Sequence, residues 1–443
     1  MIRLSQFVAS LVAAALWLAF PARAMDVQVI SVPDVGEVWL VENHNLPIVA
    51  VEIAFRDAGA AQDPADKAGL ATFAAGLLDE GAGDMDAIAF RTRLEDLSIA
   101  LSFEAGRDHL FGHMKTLSDN KAEAFRLLGL AVTAPRFEGE AVERVRNQLL
   151  AAIAQEEQQP GSVASRSWYA RAFPDHPYGR PVIGSAETVA ALKAEDLRDL
   201  AASRLARGNL LIAVVGDMTP DEVRELVRNA FRGLPESARL AEIPEATPAP
   251  PPGILVIDRP VPQSTVIYGQ PGIKRHDPDW YPAYVMNYVL GGGGFASRLV
   301  NEVRELRGLA YSVSSYLNPL ARAGLIVGSV GTQNERAKES IDIISAEFAR
   351  MREEGITAEE LEGAKKYLTG SYALNFDTSP AIAAQLLAIR LENFGPDYIE
   401  KRNGYIEAVT LEQVNDVARR LLKPEALSWV VVGRPAGVTT TAP

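Results

Sequence analysis

"VAALKAEDLRDLAASRLARGNLLIAVVGDMTP" (residues 189–220) and "IEAVTLEQVNDVARRLLKPEALSWVVVGRPAG" (residues 406–437) follow one pattern. In each, apolar residues recur at helical spacing, and a short run rich in β-branched residues then ends in a glycine, Gly216 or Gly433. An amphipathic helix leading into a buried strand satisfies both parts of that pattern. Because the two copies match almost position by position, the chain is expected to contain one unit twice.

Two further pairs extend the repeat outward. "FEGEAVERVRNQLLAAIAQ" (137–155) answers "ITAEELEGAKKYLTGSYAL" (356–374), both acidic at the start and helical in period. "VWLVENHNLPIVAVEIAFRDAG" (38–59) answers "ILVIDRPVPQSTVIYGQPGI" (254–273), both alternating as strands do. Each half therefore reads strand, helix, strands, helix, helix, strand. That order predicts an α+β fold of two homologous domains, each a mixed or antiparallel sheet with helices packed on one face. Between the halves lies "LPESARLAEIPEATPAPPPGI" (234–254), with six prolines from Pro235 to Pro252, a composition that favours an extended connector. The expected division is a domain at 26–235, a linker at 236–252 and a second domain at 253–437.

Length and charge fit this division. At 443 residues the chain exceeds one ordinary core, since domains run to roughly 100–200 residues. With 44 Lys and Arg against 57 Asp and Glu, and no basic run, it lacks the electrostatic footprint of a nucleic-acid binder. The first 24 residues, "MIRLSQFVASLVAAALWLAFPARA", join a short basic start, an apolar run from Phe7 to Phe20 and an A-x-A end. Such a three-part pattern predicts a secretory leader removed before Met25, and hence an exported, periplasmic protein not held in the membrane after cleavage. Because the chain has no cysteine, any metal would need His, Asp or Glu.

Those residues form no convincing ligand set. His109 and His113 have i, i+4 spacing, but "IALSFEAGRDHLFGHMKTLS" (99–118) alternates as a strand or hairpin. Four residues of strand span roughly 13 Å, too far for one ion with bonds of roughly 2 Å, so a structural, surface-facing role is expected for both. His44 and His276 sit in turn-like sequence and are expected to be solvated; His176, in a Pro-rich loop, is expected to pack or to bond within it. A serine-nucleophile elbow and phosphate-binding glycine motifs are missing.

One tract stands out: "VLGGGGFASRLVNEVRELRGLAYSVSS" (289–315). Gly291, Gly292, Gly293 and Gly294 let the backbone approach a neighbour closely and take positive φ. A helix then presents Arg298, Arg304 and Arg307, Gly308 ends it, and Tyr311 begins an alternating strand. Arg304 and Tyr311, seven residues apart, can converge at such a corner on one oxygen or carboxylate. A surface arginine beside a half-buried tyrosine accounts for the same residues equally well.

Taken together, "ENHNLPIVAVEIAFRDAGAAQDPADKAGLATF" (42–73), the glycine tract before "RELRGLAYSV", the doubled α+β unit and "LLIAVVGDMTP" resemble the insulinase (pitrilysin-like) metallopeptidases over essentially the whole mature chain. In active members of that family, H-x-x-E-H follows the G-L-A element; its two histidines bind zinc, its glutamate activates water, and a glutamate on a later helix is the third ligand. Here Thr72, Ala75 and Gly76 stand at the three motif positions, and Leu150 stands seven residues after Glu143, where the third ligand is due. The resemblance thus implies a chain that binds no zinc itself. It also implies that Arg304 and Tyr311 match the family's substrate-holding, oxyanion-stabilising pair, and that Gly291–Gly294 resemble a substrate-contacting loop of the non-catalytic subunit of mitochondrial processing peptidase. The implied role is a zinc-less subunit of a heterodimeric peptidase acting on unfolded peptides, with zinc in a homologous partner. A peptidase-like fold kept as a peptide-binding scaffold is the alternative.

Overall fold

Two sheets with one strand order organise the chain. The computed structural model describes residues 25–441, so the leader expected at 1–24 lies outside the described residues. In the N-terminal half the strands are β1 (Gln28–Val32), β2 (Gly36–Glu42), β3 (Ile48–Phe55), β4 (Ala100–Ala105), β5 (Leu110–Leu117) and β6 (Leu210–Gly216). The C-terminal half contributes β7 (Gly253–Asp258), β8 (Gln263–Pro271), β9 (Ala310–Leu320), β10 (Ala323–Gln333) and β11 (Ser428–Gly433). The orders are β1-β2-β6-β3-β5-β4 and β7-β11-β8-β10-β9, so apart from β1 the second sheet reproduces the first strand for strand. Even the parallel step is repeated: β2 runs parallel to β6, with Val38 opposite Ile212, and β7 runs parallel to β11, with Ser428 opposite Gly253. Every other pairing is antiparallel. β6 and β11 are the strands of the opening repeat, each the last in chain order of its half and interior to its sheet, and their apolar runs are buried.

Each sheet carries its own half's helices on one face, as expected, and its other face is covered as well. One face carries the half's own helices, among them Lys121–Thr133 and Pro220–Phe231 in the first half and Ala337–Glu354 and Leu411–Leu421 in the second. The other face receives a helix from the opposite half. Pro160–Ala172 lays Val163, Ala164 and Trp168 on Leu325, Val327, Val430 and Val432 of the C-terminal sheet. Reciprocally, Ser379–Leu391 lays Ile382, Leu386 and Leu387 on Trp39, Val41, Ala213 and Val215 of the N-terminal sheet. Polar contacts fix both insertions: Trp168 Nε1 donates to the Ser428 carbonyl at 3.1 Å, and Arg390 Nη1 donates to the Ile212 carbonyl at 2.6 Å. Burial pushes the Arg390 guanidinium down to about 10. Since a sheet with two apolar faces must bury both, neither half is complete without the other.

Residues 236–252 form no helix or strand, as their prolines require. They are nonetheless tied down along the seam. Gln62 exchanges two 2.9 Å hydrogen bonds with the Ala241 backbone, and Ala246 N donates to the Arg322 carbonyl at 2.8 Å.

The apolar spacing of residues 67–83 suggests one long helix, and the structure differs. The helix spans only Leu70–Ala75. Gly69, at φ 92°, starts it, and beyond Gly76 the bonds tighten to Leu77 N–Ala74 O and Leu78 N–Ala75 O before Gly81 and Gly83 turn the chain at positive φ. Glycines without a Cβ penalty allow that sequence of turns, which leave Leu77 and Leu78 buried in the core. The polar loop ahead of this helix holds it in place. Asp63 Oδ2 accepts from Ala71 N at 3.1 Å, while Asp63 Oδ1 accepts from Arg204 at 2.7 Å in an ion pair almost sealed from solvent. Arg204 also donates to the Gly59 and Gln62 carbonyls, which fastens the loop from both sides.

Candidate functional site

The short helix Leu70–Ala75 packs beside the long helix Gly139–Glu156, and these two helices carry the positions at which the resemblance would place a zinc site. Thr72 is half-buried, and its Oγ1 is spent on the Val182 carbonyl at 2.8 Å. Ala75 is buried and Gly76 faces solvent, so neither offers a donor atom. Leu150 is half-buried on the longer helix, while Glu143 is exposed and bonded to Arg146 at 3.2 Å. Packing closes the remaining space: the Arg146 guanidinium lies 5.1 Å from the Phe73 ring centroid, and a Cβ on Gly76 would stand 3.4 Å from a Val145 methyl. A hydroxyl already bonded to a carbonyl, two positions without donors and a leucine do not fit a zinc ion. Among the described residues, no group of three His, Asp or Glu is placed to hold a metal.

The histidines serve the framework. His113, on β5, pairs with buried Glu52 on β3, and that hydrogen bond raises its pKa above the ordinary value. His109 accepts from Asp57 N at 3.1 Å, and burial lowers its pKa. Both are half-buried rather than surface-facing, because the helix inserted from the other half thickens this face of the sheet. His44 is exposed beside Asp217 at 2.7 Å, and His276 is exposed with its Nε2 on the Glu392 carbonyl. His176 bonds within its loop: Nδ1 accepts from Tyr178 N, and Nε2 then donates to the Pro244 carbonyl, both at 3.1 Å.

In the C-terminal half the structure brings Arg304 and Tyr311 together. Arg304 lies in a wide, i to i+5 helical turn, Val300–Glu305, closed by Gly308 at φ 56°; Tyr311 is the second residue of β9 and is 85 % exposed. The Arg304 guanidinium stacks 5.1 Å from the Tyr311 ring centroid and 4.7 Å from that of Phe295, so two exposed aromatic rings hold one cation. Such stacking contributes roughly 0.5–1 kcal/mol per exposed contact and leaves the in-plane N–H donors free. Its neighbours are not free in this way. Arg298 is bound by both oxygens of Glu360 at 2.7 Å, and Arg307 is held by Glu302 at 2.6 Å. Among the described residues, the one polar side-chain partner of Arg304 is Glu305, 3.4 Å from its Nε. Phe295 is absent from the sequence reading; its one signal is a large apolar residue directly after four glycines, with no periodic partner.

The glycine tract is explained mainly by the protein's own packing. A Cβ on Gly291 would lie 2.5 Å from Ser315 Oγ, on Gly292 2.8 Å from Asn287 Nδ2, and on Gly293 2.7 Å from the Tyr288 carbonyl. Only Gly294 needs positive φ, at 56°. Asn287 and Ser315 lock this close approach through bonds of 2.8 and 3.1 Å, and Gly291, Gly292 and Gly294 form one wall of a cleft of about 520 Å³.

Known proteins share this peptidase fold. Residues 37–186 match the family described as insulinase (peptidase family M16), and residues 191–368 match the peptidase M16 inactive domain. The chain is 28% identical over 400 residues to a non-peptidase homolog, YmxG, of Helicobacter pylori, covering 88% of this chain and 90% of that one. It is 29% identical to an uncharacterized zinc protease of Streptomyces coelicolor, over 78% of this chain and 76% of that protein. Among solved structures, a peptidase M16 inactive domain from Pseudomonas fluorescens superposes with a TM-score of 0.86 at 30% identity, covering 94% of this chain and all of that one. With its doubled sheet and its four ligand-less positions, the chain belongs to the insulinase family as a catalytically inactive, peptidase-like member.

Proposed function

We propose that this chain is the zinc-less subunit of an exported, periplasmic two-chain metallopeptidase. It pairs with a homologous zinc-bearing subunit and presents Arg304 and Tyr311 to unfolded peptides bound between the two. The carrying observation is the contrast inside one chain: Thr72, Ala75, Gly76 and Leu150 offer no ligand, while Arg304, whose one polar side-chain partner among the described residues is Glu305, lies beside an exposed tyrosine. Arginine's fixed fork of donors and the phenol suit a peptide carbonyl, and they bind it more tightly as negative charge develops on its oxygen. Gly294 and Phe295, on the same lip, are the glycine-tract positions with room to meet a peptide backbone.

Co-expression with a homologue that carries an intact H-x-x-E-H tests the reading. The expected result is a stable heterodimer with zinc-dependent endopeptidase activity, together with no hydrolysis by this chain alone in added zinc. Hydrolysis by the isolated chain, or failure to associate with any such homologue encoded beside it, would refute it.

A further inference from the structure

All five exposed large aromatic side chains among the described residues, Phe295, Tyr311, Tyr316, Tyr367 and Tyr405, belong to the C-terminal half. Two of them, Tyr316 and Tyr367, stand at the mouth of the 520 Å³ cleft beneath the glycine tract. Trp280, Tyr284, Tyr288 and Tyr372 line its interior, and a smaller space of about 280 Å³ shares Trp280, Tyr284, Tyr372, Asn375 and Arg402 with it and adds Arg275 and Glu392. At the far end Arg275 is already caged, its guanidinium 4.7 Å from the Trp280 ring centroid and 4.6 Å from that of Phe394.

The charge of the larger cleft is one-sided. Its only ionised lining residue is Arg402, in a protein whose net charge is −13. Arg402 is 9% exposed and leans on Tyr372, 4.2 Å from the ring centroid. Its Nη1 donates to the Leu368 carbonyl at 2.6 Å and to Asn403 at 3.0 Å. Nε and Nη2 make no hydrogen bond among the described residues, yet they are not sealed from solvent, and Arg402 lines both the larger cleft and the smaller space that adjoins it. A nearly buried guanidinium with open donors, no ion-paired carboxylate among the described residues and walls of tyrosine calls for an anion attached to a flat apolar group. Tyrosine-rich walls supply such contact area at small entropic cost.

We propose that this cleft binds a peptide segment carrying a carboxylate next to an aromatic side chain, the ring lying between Tyr316 and Tyr367 and the carboxylate on Arg402. The carboxylate comes either from a free C-terminus or from an adjacent Asp or Glu. This inference rests on the reading that the chain handles extended peptides, and it names the kind of peptide retained.

Calorimetry on the isolated chain tests it with short Gly/Ser peptides of three kinds: one ending in Phe with a free carboxylate, its C-terminal amide, and an amide with an internal Glu-Phe. The Phe acid is expected to bind, and replacing Phe by Ala to weaken it by roughly tenfold or more, the scale for one buried aromatic side chain. Binding by the Phe amide lost and by the Glu-Phe amide kept assigns the carboxylate to a side chain as well; loss of both assigns it to the C-terminus. Tyr367→Ala and Tyr316→Ala alter exposed residues and leave the core intact, and each should reduce affinity for the Phe acid. Equal binding of Phe and Ala peptides, undiminished binding by both tyrosine variants, or no binding of any peptide would overturn the proposal. Because no partner is present, these outcomes are independent of whether the heterodimer cleaves.

Discussion

The large apolar side chains exposed on the N-terminal half are Val29, Leu46, Ile88 and Leu117, all aliphatic and scattered; those on the C-terminal half include Phe295, Tyr311, Tyr316 and Tyr367, gathered around one cleft and one arginine. Both halves hang on the same strand order. The comparison separates what the architecture requires from what a surface does with it. In the first half the positions that could carry chemistry have been turned to packing: Thr72 ties down a loop, Ala75 is buried, and Arg146 covers Phe73. In the second, an arginine and several aromatics remain where they stabilise the fold little, since scattered apolar exposure needs no explanation but a clustered aromatic patch does.

If the N-terminal site survives only as framework, its residues should move stability and not peptide handling. The largest effect is expected at the buried Asp63–Arg204 pair. Arg204→Met leaves Asp63 charged without a partner, and chemical denaturation should register a loss of roughly 3–5 kcal/mol. A similar loss, roughly 3–5 kcal/mol, is expected for Trp168→Ala, which empties a wholly buried site. Because Trp168 belongs to the first half and packs on the sheet of the second, the variant should still unfold in one transition; two separated transitions would break the idea that the halves complete each other. Thr72→Val removes a single hydrogen bond to Val182 and should cost about 1 kcal/mol, while leaving cleavage by the heterodimer as it was.

The smallest effect is one of pH. Glu52 raises the pKa of folded His113 above the unfolded value of 6.5, so the pair stabilises the fold fully below 6.5. That contribution is lost as pH rises through the higher folded value. The His113→Gln variant should therefore show a flatter melting-temperature profile across that interval than the parent, and an unchanged slope would remove His113 from the account.

The repeat, the central strands β6 and β11 and the emptied zinc positions were legible in the sequence, because each is a local pattern: a period, an apolar run or a residue type at a fixed place. The exchange of helices Pro160–Ala172 and Ser379–Leu391 was not. An apolar stripe on a helix says that it is buried, not whose sheet buries it. The end of the helix at Ala75 is hidden in the sequence, because the apolar spacing runs on past Gly76, where the turns tighten. Arg304 and Tyr311 could be paired from spacing alone, whereas Phe295 completes the stack from nine residues upstream with no periodic signal. The aromatic cleft, drawn from residues between Trp280 and Arg402, exists only once the chain is folded.

The most direct test of the account is peptide cleavage by the purified heterodimer carrying Arg304→Ala or Tyr311→Phe in this chain. The account predicts one zinc per heterodimer, held by the partner, and turnover slowed by roughly 10²–10³, the scale for a lost oxyanion donor, with assembly unchanged. Full activity of both variants in an intact complex would contradict it.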